Sequence, residues 1–105
     1  MIERIWHGWT DPGDADEYER LLREEILPDF ADQGIDGYRG VRVLRRSRED
    51  EVEFVTIMRL SSIADVKQFA GEEYEQAHVP PAARAVLTRY DDTAEHYELR
   101  AEREY

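Results

Sequence analysis

The segment Glu51 to Leu60 constrains this chain more than any other. Its residues alternate as a strand does, with Phe54, Thr56 and Met58 on one face and Val55 and Ile57 on the other. Both faces are apolar, so both ask for a cover. A layer of helices covers one face of a small antiparallel sheet, and the far face is then ordinarily polar. An apolar far face needs a second cover, which another copy of the chain would supply. The strand therefore predicts an α+β sheet with helices on one face, paired through the other face into a homodimer.

The rest of the pattern agrees. Ile2 to Trp9 is dense in β-branched and aromatic residues and reads as a strand. Asp11-Pro12-Gly13-Asp14 breaks it, with Asp11 or Asp14 available as a cap. Tyr18, Leu21, Leu22, Ile26 and Phe30 then recur at helical spacing, with Pro28 expected to kink the last turns and Gly34 to stop them. Gly37 to Arg46 carries Val41 and Val43 on one face and Leu44 on the other, and it joins the Glu51 strand as a hairpin through Ser47-Arg48-Glu49-Asp50. Ser62 and Asp65 open a second helix with Ile63, Val66 and Phe69 inward, and Gly71 interrupts it. Helix is expected to resume over 72–78 and again over 82–87, with a last strand from Thr93 to Arg100. Strand, helix, strand, strand, helix, strand is the split βαβ order of a ferredoxin-like domain, with sheet order 4-1-3-2.

Composition narrows the chemistry. One domain spanning 1–105 fits the length. The chain has no cysteine, which removes disulfides, thiolate catalysis and cysteine-held metals. Its net charge of −11 opposes binding to a phosphate backbone or an anionic membrane surface. No apolar run approaches the roughly 20 residues of a membrane span, and residues 1–4 lack the start of a signal peptide, so a soluble cytoplasmic protein is expected.

The three histidines are the first candidates for chemistry: His7 on the first strand, His78 at a helix end, and His96 on the last strand, where it could approach His7. Their spacing matches no metal motif. Trp6 and Trp9 point to opposite faces of the first strand, so they cannot form one stacking platform. Tyr74, His78 and Arg84 flank the breaks at Gly71 and Pro80-Pro81, where a pocket can open beside the sheet. The glutamates of the first helix and of Glu72-Glu73-Glu75 read as solvated faces. Gly34, Gly37 and Gly40 follow a helix at the wrong spacing for a dinucleotide loop, and there is no nucleophile elbow.

With its Ile2–Trp9 and Glu51–Leu60 strands and the stretch Phe69-Ala70-Gly71-Glu72-Glu73-Tyr74-Glu75-Gln76-Ala77-His78, the chain resembles the antibiotic-biosynthesis-monooxygenase-like family of the dimeric α/β-barrel superfamily. The resemblance implies two sheets packed into a barrel, with a pocket between each sheet and its own helices. It also implies a protein that binds or oxidises a small aromatic or polyketide-like molecule, with no metal or other cofactor. On that reading His7 and His78 are the catalytic candidates, His7 preferred as base because a strand holds it rigidly. Trp9, Tyr74 and Arg84 are the substrate-binding candidates. Two alternatives stand beside it. Haem-degrading members use a histidine that His78 matches, but His7 and Gln68 or Phe69 stand where those members carry asparagine and tryptophan. The other alternative is a non-catalytic dimeric accessory protein that binds a ligand.

Overall fold

A computed structural model describes residues 1–105. Strand β1 (Ile2–Thr10) is followed by a 3-10 turn at Pro12–Asp14 and helix α1 (Ala15–Leu21). Neither Asp11 nor Asp14 caps this helix through its side chain. The helix runs on through a π turn at Leu22–Ile26 into α2 (Leu27–Asp32). Pro28 explains the π turn: its ring displaces a carbonyl of the preceding turn, and the chain widens so that the Leu27 N–H reaches back five residues to the Leu22 carbonyl. Gly34, at φ 68°, turns the chain out of the helix.

Strands β2 (Tyr38–Ser47) and β3 (Val52–Leu60) form the hairpin. Helix α3 (Ile63–Ala70) is capped by Ser62, whose oxygen accepts from the Asp65 N–H at 3.3 Å and whose hydroxyl donates to the Asp65 carboxylate at 2.8 Å. Gly71 closes it at φ 87°. No helix resumes over 72–78. There the backbone is held by Asp92, Glu75 and Ala94 pairings and by the Arg4 guanidinium, which takes up the carbonyls of Tyr74 and Gln76. Helix α4 is a single turn, Pro81–Arg84.

The last strand is split. Segment β4 (Arg89–Tyr90) pairs with Gly8-Trp9 and β5 (Glu95–Glu98) pairs with Ile2 to Ile5. Between them Asp91 leaves the regular ladder: its N–H donates to the His7 carbonyl at 3.0 Å and its carbonyl accepts from the Trp6 indole N–H at 2.8 Å. The sheet is antiparallel in the order β2-β3-β1-β4, with β5 extending the same edge and the helices on one face.

Register decides which side chains the helices cover. Gly8 pairs with Phe54, Trp6 with Thr56 and Arg4 with Met58, so Arg4, Trp6, Gly8 and Thr10 share the helix side with the buried stripe of β3. Tyr18, Leu21, Leu22 and Ile26 pack onto Val52 and Phe54, with Tyr18 edge-on to Phe54 at 4.9 Å. A second cluster holds Met58, Leu60 and Val66. On the other face Ile5, Val55 and Ile57 stay half-buried, and Leu44 is half exposed. No helix is long and apolar enough to cross a membrane.

Candidate functional site

Between the sheet and the helices lies a cavity of about 60 Å³. Trp6, Thr56 and Met58 of the sheet form its floor, Leu22, Ile26 and Phe30 one wall, and Phe69, His78 and Ala83 the other. Of its 14 lining residues 10 are apolar, and Arg4, Thr56 and His78 bring the charged and polar side chains. The elements build this space by leaving gaps. Gly8 leaves room for the Trp6 indole to lie along the sheet, since a Cβ there would meet the ring at 3.0 Å and Leu87 at 3.1 Å. Ala83 offers only a methyl group from α4.

Each wall is held. The Trp6 indole is fixed by its bond to the Asp91 carbonyl and lies 6.1 Å from the Tyr90 ring. Phe30 and Phe69 meet edge-on at 5.0 Å. The His78 Nε2 donates to the Ala70 carbonyl at 2.9 Å, so a neutral ring carries its lone pair on Nδ1. The backbone N–H groups of His78 and Val79 make no hydrogen bond within the chain, so this stretch of wall opens at less cost than the rest. The enclosed space is smaller than the roughly 150 Å³ that admits a benzene ring, so an aromatic ligand could enter only if the wall opened.

Arg4 is 5% exposed. It donates to the Tyr74 carbonyl at 2.5 Å, to the Gln76 carbonyl at 3.4 Å and to His96 Nε2 at 2.9 Å, and it lies 5.6 Å from the Phe69 ring centre. Burial pushes the Arg4 guanidinium below its usual pKa. Burial, and then the neighbouring Arg4 charge, hold His96 below the usual histidine value, with the opposing pull of Glu75 too small to restore it. His96 therefore acts as a neutral acceptor, its ring edge-on to Tyr74 at 5.1 Å. No group of three His, Asp or Glu side chains is arranged to hold a metal ion.

Of the five residues singled out from the sequence, the cavity takes in only His78. His7 and Trp9 have the opposite parity on β1 and lie on the far face of the sheet. There His7 Nδ1 pairs with the Glu53 carboxylate at 2.8 Å, and the Arg89 guanidinium covers the Trp9 ring at 3.8 Å. His7 consequently does not approach His96, which stands opposite Arg4 on the helix side. Tyr74 lines an open cleft beside His96 and reaches the cavity only through its carbonyl bond to Arg4. Arg84 is exposed, because the turn of α4 that seats Ala83 inward directs Arg84 out. Arg4, Trp6 and Thr56 were not anticipated; the signal available was their shared parity with the inward stripe.

A ferredoxin-like α+β sheet with a small apolar cavity under its helices is the class of protein that this fold and site define. The same fold occurs in a crystal structure of a Bacillus cereus protein described as a candidate antibiotic biosynthesis monooxygenase, with a TM-score of 0.60 and 18% identity over 99% of this chain and 94% of that one. No protein-family model and no curated protein sequence matches the chain.

Proposed function

We propose that this is an antibiotic-biosynthesis-monooxygenase-like protein, working as a homodimer, that oxidises a small planar phenol or enol with dioxygen and without metal or flavin. One observation carries the reading: an apolar cavity bordered by the exposed His78, whose Nδ1 makes no hydrogen bond within the chain, and by two further polar side chains, Arg4 and Thr56. The fold shared with the Bacillus cereus protein supports it.

The chemistry requires little machinery. A base removes the hydroxyl proton, here to His78 Nδ1, and the resulting anion passes an electron to O₂. Recombination at a ring carbon forms the C–O bond. Loss of water leaves a quinone, so one oxygen atom is retained and the other departs as water. Apolar walls keep solvent from the reactive pair. On this reading His7 has no part in proton transfer; with Glu53, Trp9, Val55 and Ile57 it belongs to the face that meets the second copy. His7 and Gln68 or Phe69 stand where haem-degrading members carry asparagine and tryptophan, which weighs against the haem alternative.

The test is oxygen uptake by chelator-treated protein given 1-naphthol, with 1,4-naphthoquinone measured as product. Uptake falling about 100-fold or more in His78→Ala supports a general base at that position. Binding without uptake, in wild type as in the variant, leaves the accessory ligand-binding role.

A further inference from the structure

Arg4 is a buried cation in an apolar wall, and nothing in the chain neutralises it. Its hydrogen bonds all go to neutral acceptors, two carbonyls and an imidazole nitrogen. None of the ion pairs of the chain includes it. Six other arginines pair with carboxylates, Arg20, Arg45 and Arg89 within 3.0 Å, and all six are exposed. Arginines without a carboxylate partner elsewhere in the chain have water to solvate them, whereas Arg4 is the one arginine that is buried, and no carboxylate reaches it in a chain with 25 acidic residues. An arginine in such a place keeps its proton, and breaking or omitting the partner of a buried charge is strongly destabilising. Such an omission persists where a bound group completes it.

We propose that the missing counter-charge belongs to the ligand: the cavity takes a small planar acid and sets its anionic oxygen against the Arg4 guanidinium. This rests on the cavity being the ligand site, and it adds the substrate's charge, which that reading leaves open. The register supports the placement. Met58 lies opposite Arg4 and Thr56 opposite Trp6 on the neighbouring strand, so the cation stands at one end of an apolar floor with a hydroxyl further along it. A ring lying over Trp6 and Met58 with its charged end at Arg4 fits that order. The anionic oxygen is either a carboxylate carried by the substrate or a phenolate formed on binding, and both would use the hydrogens left free on Arg4, that on Nε and one on Nη2.

The experiment uses the full chain with Trp9→Phe, which leaves Trp6 as the sole indole and its fluorescence as the binding signal. Benzoate and benzamide share shape and differ in charge, and 4-nitrophenol reports its own ionisation by colour. A preference of tenfold or more for benzoate, reduced to twofold or less in Arg4→Met, supports the proposal with a carboxylate ligand. Enrichment of bound nitrophenolate over its free fraction at the same pH, lost in Arg4→Met, supports it with a phenolate. Equal binding of benzoate and benzamide together with unchanged nitrophenol ionisation overturns it while leaving the cavity a ligand site. Absence of any Trp6 response to all three compounds overturns both. A benzoate preference that survives in Arg4→Met assigns the anion elsewhere and also overturns it. Where Arg4→Met does not fold, Arg4→Gln, which keeps an amide donor for the loop carbonyls but no charge, takes its place and is expected to lose the preference, whereas Arg4→Lys, which keeps the charge, retains it.

Discussion

Replacing Ala83 by valine adds two carbons to a wall of the cavity without touching any hydrogen bond. The space they enter measures about 60 Å³. At ~24 cal/mol per Å³ of void, filling it is worth at most about 1.4 kcal/mol. Two newly buried carbons at ~0.8 kcal/mol each give about 1.6 kcal/mol by the independent route of surface burial. Valine in the single turn of α4 gives back roughly 0.7 kcal/mol in helix propensity. The net is a gain of about 1 kcal/mol, which raises the melting temperature by about 4–8 °C in a domain of this size. Circular-dichroism melts of wild type and Ala83→Val read that shift directly. The same variant should bind 1-naphthol at least tenfold more weakly, because the added methyl groups occupy the ligand's place. Were the space already filled in solution, overpacking would instead cost about 1–3 kcal/mol and the sign of the shift would reverse. A lowered melting temperature with unchanged naphthol binding refutes the reasoning.

Other perturbations test the frame around the site. Gly37→Ala drives its new Cβ into the Asp65 carboxylate that completes the α3 cap, so urea unfolding should show a loss of about 1 kcal/mol or more. Phe54→Ala removes a side chain with no exposed surface and its edge-on contact with Tyr18, and should cost about 3–5 kcal/mol with the urea dependence of stability unchanged in slope. His96 titrates below the usual histidine value of 6.5 in the folded chain, through burial and then Arg4. As pH falls below that value the unfolded chain takes the proton first, so the contribution of His96 is complete above it and declines towards the lower folded value. His96→Gln, which keeps an acceptor for Arg4, should flatten this part of the stability-against-pH curve; an unaltered slope would show that His96 does not carry it.

How much of this was legible in the sequence depended on whether a face announces itself by hydrophobicity. In β3 it does: Val52, Phe54, Met58 and Leu60 share one parity and are all buried. Ser62 and Asp65 announced the α3 cap equally well, since the cap is made from neighbouring residues. In β1 neither parity is clearly apolar. Arg4, Trp6, Gly8 and Thr10 face the helices, while Ile5, His7 and Trp9 do not, and only pairing with β3 decides between them. That is why His7 and Trp9 read as pocket residues and Arg4 did not. Residues 72–78 read as helix because the composition permits it. The structure prevents it through non-local bonds, with Arg4 taking the carbonyls of Tyr74 and Gln76 from 70 or more residues away. The split of the last strand is likewise non-local, since it turns on the Trp6 indole reaching Asp91. Pro28 was visible, but the π turn that accommodates it was not, because a kink and a widened turn satisfy a proline about equally well.

Trp6 and Trp9 place one indole N–H on each face of the sheet, and their two resonances in a ¹H–¹⁵N spectrum report which face a ligand meets. With 1-naphthol added to saturation, the cavity account predicts that the Trp6 indole and the Thr56 and Ala83 amides shift while the Trp9 indole stays in place. Movement of Trp9 and His7 with Trp6 unmoved would put the ligand on the far face of the sheet and contradict it.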